Sequence, residues 1–215
     1  MILGRAGKPV RPICIFDRMK TWVITGGAAS GKSGYCRQLT VEEPGSVFFS
    51  SDEIVHVLLG KETIVRQVAQ IFDAAVLNEA GGINRDMLRQ KAFAYDKGRQ
   101  RLEALIHPLV YERLEKDRNA ASANGSQLFI AEIPLFYETH HTFQADLVIL
   151  VAASEMFQKR RLMEFRGLDA EAVQSILSAQ LPLERKLAMA QTVVWNEGSP
   201  ELLQAQAQLL LQQLY

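Results

Sequence analysis

The sequence predicts an α/β protein built on a parallel sheet of five strands flanked by helices. Three observations carry this. Strand-like and helix-like segments alternate along the chain, the pattern of parallel βαβ units. Leu147-Val148-Ile149-Leu150-Val151 is continuously apolar, as a strand buried on both faces requires. The stretch Gly26-Gly27-Ala28-Ala29-Ser30-Gly31-Lys32-Ser33 fits G-x-x-x-x-G-K-[ST] without mismatch, between a β-prone and a helix-compatible segment. That motif specifies the P-loop nucleoside-triphosphatase fold.

The elements follow in order. Strands are expected at 21–26, 46–50, 127–132, 146–151 and 192–195. The second follows the turn signal Glu43-Pro44-Gly45. Residues 52–122 read as mostly helical, interrupted at Gly81-Gly82 and closed by the small and polar run 120–126. This block is too long for one crossover and predicts an inserted helical subdomain. A helix is expected at 155–165. A last helix from Pro200 to Leu214 is rich in Leu and Gln, with its leucines facing the core. Residues 1–18 differ from the rest: two glycines, two prolines and four basic residues stand against one acid. They read as a tail without catalytic role ahead of a domain spanning 19–215.

The P-loop sequence has a direct chemical meaning. Its glycines let backbone N–H groups turn inward around phosphate oxygens, and the helix that follows adds its positive dipole end. Gly27, Ala29, Ser30, Gly31, Lys32, Ser33 and Gly34 are the expected nucleotide-binding residues. Lys32 reaches the β- and γ-phosphates, and the Ser33 hydroxyl ligates Mg²⁺. The motif implies ATP or another nucleoside triphosphate and does not separate kinases from other P-loop classes. Absence of an Asn-Lys-x-Asp signature weakens a GTPase reading.

Further residues carry candidate chemistry. Asp52 follows the second strand, where ligands meet the carboxyl ends of parallel strands. A carboxylate there can accept a hydroxyl proton and orient its oxygen in line. The competing role is capping of the next helix by Asp52 or Ser51. Glu132 ends the third strand, either near Mg²⁺ or as a buried acid paired with the P-loop lysine. Arg160, Arg161 and Arg166 cluster on the 155–165 helix, either to stabilise transferring phosphate or as a solvated basic face. His107-Pro108 predicts a helix break. His140-His141 cannot share one face of an element and are not a metal site.

Bulk properties exclude other classes. Lys+Arg and Asp+Glu both total 24 in 215 residues, which argues against a general nucleic-acid binder. No apolar run approaches the roughly 18 residues of a membrane span. Cys14 and Cys36 give neither a disulfide framework nor metal-ligand spacing, and a reducing cytoplasm fits. A monomer or weak oligomer is expected.

The motifs taken together resemble dephospho-coenzyme A kinases, from Thr21 to about Leu203. The P-loop is similar to the family's T-G-G-I-G-S-G-K-S-T, and Ser50-Ser51-Asp52 stands in place of its D-A-D. Gly82-Ile83-Asn84-Arg85 with Leu88 and Phe93, Leu105-Ile106-His107-Pro108-Leu109 and Ile133-Pro134-Leu135-Phe136-Tyr137-Glu138 resemble further blocks. So do Gln158 through Leu162, Ala179-Gln180-Leu181-Pro182 with Lys186, and Asn196-Glu197-Gly198. The resemblance implies transfer of the ATP γ-phosphate to the 3′-hydroxyl of dephospho-CoA. It implies Asp52, Lys32 and Arg161 as catalytic, Asn196 near the adenine, and Arg85, His107, Pro134 and Glu138 on the substrate side. It assigns 52–122 to the acceptor and 155–175 to a lid. The chain departs from the pattern at Ala29, Gly34, Ser50, His56, Phe165 and Gln191. The alternatives are a small nucleoside or shikimate-like kinase, which lacks the His-Pro-Leu and Pro-Leu-Phe-Tyr-Glu blocks, and a nucleotide-binding regulatory module of the same fold.

Overall fold

The computed structural model describes residues 18–94, 96–139, 141 and 143–212. The expected tail, except Arg18, lies outside the described residues, as does His140. The chain opens with β1 (Lys20–Thr25), α1 (Lys32–Glu42) and β2 (Val47–Ser50). Four α-helices, with a 3₁₀ turn at Ala74–Val76, follow before the next strand among the described residues: α2 (Ser51–Leu59), α3 (Glu62–Phe72), α4 (Arg85–Ala94) and α5 (Asp96–Ala123). Then come β3 (Leu128–Glu132), β4 (Leu147–Ala152), α6 (Glu155–Arg166), α7 (Ala170–Ser178), α8 (Leu183–Met189), β5 (Thr192–Trp195) and α9 (Pro200–Leu211).

The five strands pair in parallel in the order β2-β3-β1-β4-β5. Every expected strand forms, within a residue or so of its expected ends. Central position explains the burial: β1 and β3 have neighbours on both edges and helices on both faces, so every residue but Lys20 is buried, including the polar Thr21, Thr25 and Glu132. Alternation then sends successive side chains to opposite layers. Val23, Phe129 and Ala131 join the core under α2–α5, whereas Trp22, Ile24, Leu128 and Ile130 join the core under α1 and α9. The edge strand β5 buries only Val194.

The sequence reading fails at Pro108. It lies inside α5, which runs unbroken from Asp96 to Ala123. A proline here lacks the N–H that would bond the carbonyl of Ala104 and costs a helix interior about 3 kcal/mol. Ala104 and Pro108 are both exposed, so water can take that carbonyl. Ile106, Val110 and Leu114 meanwhile keep their apolar face on the core and hold the helix together.

Candidate active site

The P-loop forms between β1 and α1 through three distorted backbone positions. Gly26 has φ +149°, and a Cβ there would lie 2.2 Å from the Val151 carbonyl oxygen. Gly31 has φ +95°, and its Cβ would fall 1.9 Å from Asn196 Nδ2. Ala29 takes φ +54°, a left-handed conformation that disfavours side chains, where the family pattern has glycine. The α1 N-terminus has no side-chain cap. Its first amides are therefore free for an anion. Lys32 is buried, and its ammonium donates to the Gly27 carbonyl at 2.9 Å, spanning the loop. Burial lowers its pKa, against the opposing pull of the Glu132 and Asp52 carboxylates. The buried Ser30 hydroxyl has no hydrogen-bond partner.

Ser33 and Glu132 lie together. The Ser33 hydroxyl donates to Glu132 Oε1 at 2.8 Å. Burial pushes the Glu132 carboxyl above its usual pKa, while the Ser33 hydrogen bond and the Lys32 charge act downward. Lys32 bonds Gly27 rather than pairing directly with Glu132. Two hard oxygen donors beside a phosphate cradle suit Mg²⁺, which keeps several waters and shares substrate phosphates. No cluster of three metal-ligating His, Cys, Asp or Glu side chains exists among the described residues, so phosphate and water would complete any magnesium shell here.

Asp52 is exposed near the start of α2 and does not cap it. Ser50 does: its hydroxyl accepts from the Glu53 N–H at 3.3 Å. Ser51, the other expected cap, instead donates to the Glu132 carbonyl oxygen at 2.9 Å. Asp52 lines a mostly apolar cavity of about 210 Å³ with His107, Tyr111, Pro134 and Leu135. A second cavity, about 320 Å³, takes His107, Glu138, Thr139 and Arg99. His107 borders both, and burial lowers its pKa. Arg85 is exposed at the start of α4 and borders neither cavity.

The three arginines of α6 do not act as one group. Arg160 lies over the Phe157 ring, and Arg166 is exposed. Arg161 alone bonds the P-loop, donating to the Ala29 and Ser30 carbonyls at 3.2 and 3.3 Å and to the Asn196 carbonyl at 2.8 Å. The Asn196 side chain donates to Ser30 O at 2.8 Å. Two glutamines to which the sequence assigns no site role also reach the loop. A Cβ added at Gly27 would lie 2.6 Å from Gln158 Oε1, so Gln158 packs on the loop, and Gln180 Oε1 accepts from the Ala28 N–H at 3.0 Å.

This arrangement sets a nucleotide cradle and a mostly apolar cavity bordered by Asp52 at the carboxyl edge of a parallel sheet, and it defines a P-loop small-molecule phosphotransferase. The dephospho-CoA kinase family profile matches residues 21–201. A dephospho-CoA kinase from Syntrophotalea carbinolica is 36% identical over 194 residues, covering 89% of this chain and 90% of that one. One from Anaeromyxobacter dehalogenans is 34% identical, covering 91% and 92%. A crystal structure from Thermus thermophilus superposes with a TM-score of 0.77 at 29% identity, covering 92% of this chain and 99% of that one. The chain belongs to the dephospho-CoA kinase family.

Proposed function

We propose that this chain transfers the γ-phosphoryl group of ATP to the 3′-hydroxyl of dephospho-CoA, giving CoA and ADP. One observation supports the placement of both substrates. Glu132 bonds Ser33 through its side chain and Ser51 through its carbonyl, so one residue joins the nucleotide-side helix α1 to the acceptor-side helix α2. The loop amides, Lys32 and the neighbouring Ser30 and Gly34 hold the phosphates. Ser33, with Glu132, holds Mg²⁺, which neutralises phosphate charge when bound.

Asp52 takes the proton of the acceptor hydroxyl as that oxygen bonds the γ-phosphorus. The bond from the γ-phosphorus to the bridging oxygen breaks, and ADP leaves with the electron pair. Lys32 and Arg161 stabilise charge on the transferring oxygens. Asn196 borders the adenine. Residues 52–122 furnish the acceptor pocket, with His107, Pro134 and Glu138 along it and Arg85 at its outer part. Residues 155–175 act as a lid that excludes water and so suppresses ATP hydrolysis. Use of ATP supports a cytoplasmic location for this step, and no helix among the described residues is long and apolar enough to cross a membrane.

The test is a coupled ADP-release assay with and without dephospho-CoA, with the CoA product identified by mass. Dephospho-CoA should stimulate ADP release at least tenfold over basal hydrolysis. ATP binding without acceptor-dependent turnover would establish a regulatory module instead.

A further inference from the structure

One hydrogen-bonded path links the acceptor-side cavity to the P-loop, and it passes through the segment between α7 and α8. It begins at Glu138, which borders the 320 Å³ cavity. Glu138 Oε1 accepts from the Leu181 N–H at 3.2 Å and pairs with Lys186 Nζ at 2.7 Å. Lys186 is 2% exposed, so this ion pair is a fixed point rather than a surface contact. Gln180, the residue before Leu181, accepts the Ala28 N–H of the P-loop at 3.0 Å. Ala28 precedes Ala29, the loop's strained alanine.

We propose that Gln180 is a positioning residue for phosphoryl transfer, anchored by the Glu138–Lys186 pair so that the P-loop and the acceptor pocket are held in one register. The physical case rests on leverage. In-line transfer requires the acceptor oxygen and the γ-phosphorus to approach within about 3–3.5 Å, and small misplacements lower the rate steeply. The acceptor lies against α5 and the segment after β3, whereas the phosphates lie on the loop after β1. The sheet fixes the ends of the strands but not the turn at Ala28. A buried ion pair whose partners lie on the segment after β3 and on α8, with an adjoining backbone bond, sets the height of the 180–181 segment. The Gln180 carboxamide carries that height to the loop. Glu138 thus serves the acceptor pocket with one face and the nucleotide cradle through Leu181.

The inference rests on the kinase reading above and is tested by two readouts. Gln180→Met keeps length and removes the acceptor oxygen. It should lower kcat for transfer about tenfold while ATP affinity stays within about threefold, a split expected of a positioning effect rather than lost binding. Hydrogen exchange of the 26–31 backbone should speed up about tenfold, with exchange in β1 and β3 unchanged. Glu138→Gln should speed exchange at 26–31 as well, and its combination with Gln180→Met should add little, because both act on one path. If Glu138→Gln fails to fold because Lys186 is left as an unpaired buried charge, the pair Glu138→Gln and Lys186→Met replaces it in the cycle. Gln180→Glu retains an acceptor oxygen and should restore slow exchange at the loop. Unchanged loop exchange in Gln180→Met, or independent effects of the two sites, overturns the relay. Failure of the wild type to phosphorylate dephospho-CoA overturns the kinase reading alone, since loop exchange is measured without turnover.

Discussion

The Ser33 hydroxyl donates to Glu132 Oε1 across 2.8 Å, joining the residue after the P-loop lysine to the last residue of β3. The contact follows from topology. β3 pairs with β1 in register, with Ile24 opposite Glu132, so the end of β3 faces the start of α1. Only 5% of Glu132 is exposed, and burial disfavours its charge. Such an acid is retained where a cation compensates it.

The Ser33–Glu132 relationship predicts the outcome of Glu132→Gln. The amide oxygen can still accept from Ser33, so the fold should persist. The lost carboxylate charge weakens the outer support of a magnesium ion, an effect of about 10–100-fold in comparable positions. Titration of activity against Mg²⁺ should show a half-saturation at least tenfold higher. A wild-type magnesium curve would show that Glu132 has no part in holding the ion.

Asp52→Asn separates catalyst from cap. Since Ser50 supplies the α2 cap, Asp52 carries no capping role to lose. The melting temperature should move by no more than about 2 °C, the effect of a neutral surface change. Turnover should fall by about 10²–10⁴, the contribution of a positioned general base, with ATP affinity within about threefold. Normal turnover in this variant would remove Asp52 from the chemistry.

How much was legible in the sequence depended on the distance over which a contact acts. The P-loop and the five strands were readable because each is encoded by consecutive residues: a fixed glycine spacing in one case, unbroken apolar runs in the other. The cap of α2 lies at Ser50, ahead of both Ser51 and Asp52, since all three are good caps and only the end of β2 decides among them. Pro108 was read as a break because local sterics favour one. Packing of Ile106, Val110 and Leu114 overrides it. Contacts across more than a hundred residues left no local signal. Gln180 on Ala28 and Arg161 on Ala29 arise only when the chain after β4 folds back over the loop. Two departures from the family pattern make structural hydrogen bonds here: Ser50 caps α2, and Gln191 Oε1 accepts the Val148 N–H at 2.8 Å. His56 is exposed on α2, and Phe165 is 78% exposed on α6; nothing in the structure explains either choice.

Gly31 and Asn196 should show a partial rescue. In Gly31→Ala the new Cβ would meet Asn196 Nδ2 at 1.9 Å, which must displace the amide from Ser30 O. Nucleotide binding should weaken at least tenfold by calorimetry. Adding Asn196→Ala removes the collision but leaves alanine at φ +95°, a conformation that costs about 1–2 kcal/mol. The double variant should therefore recover affinity relative to Gly31→Ala and still fall short of Asn196→Ala alone. Full recovery would mean that backbone strain at this position is absorbed elsewhere.

His107 sets a pH dependence of known sign. Burial holds its folded-state pKa below the ordinary 6.5, with Glu103 pulling weakly upward. The unfolded chain then binds the proton more readily than the folded one in the window below 6.5. Stability must fall as pH drops through that window and must be insensitive to His107 above it. His107→Gln keeps a polar side chain of similar reach but cannot titrate. Melting curves of the two proteins should run parallel between pH 7 and 8. They should diverge from pH 6.5 downward, with the variant losing less stability than the wild type. The comparison must be made as a difference, because Glu132 acts in the opposite direction: its raised pKa means that the folded chain holds the proton longer, and stability declines as pH rises from the ordinary carboxyl value through the folded one. That contribution is common to both proteins and cancels. A ligand on the acceptor side should steepen the wild-type dependence if it needs a neutral imidazole at the wall shared by the two cavities. Curves that stay parallel down to pH 5 would show that His107 titrates alike in the folded and unfolded chains and that its burial between the cavities has no energetic consequence.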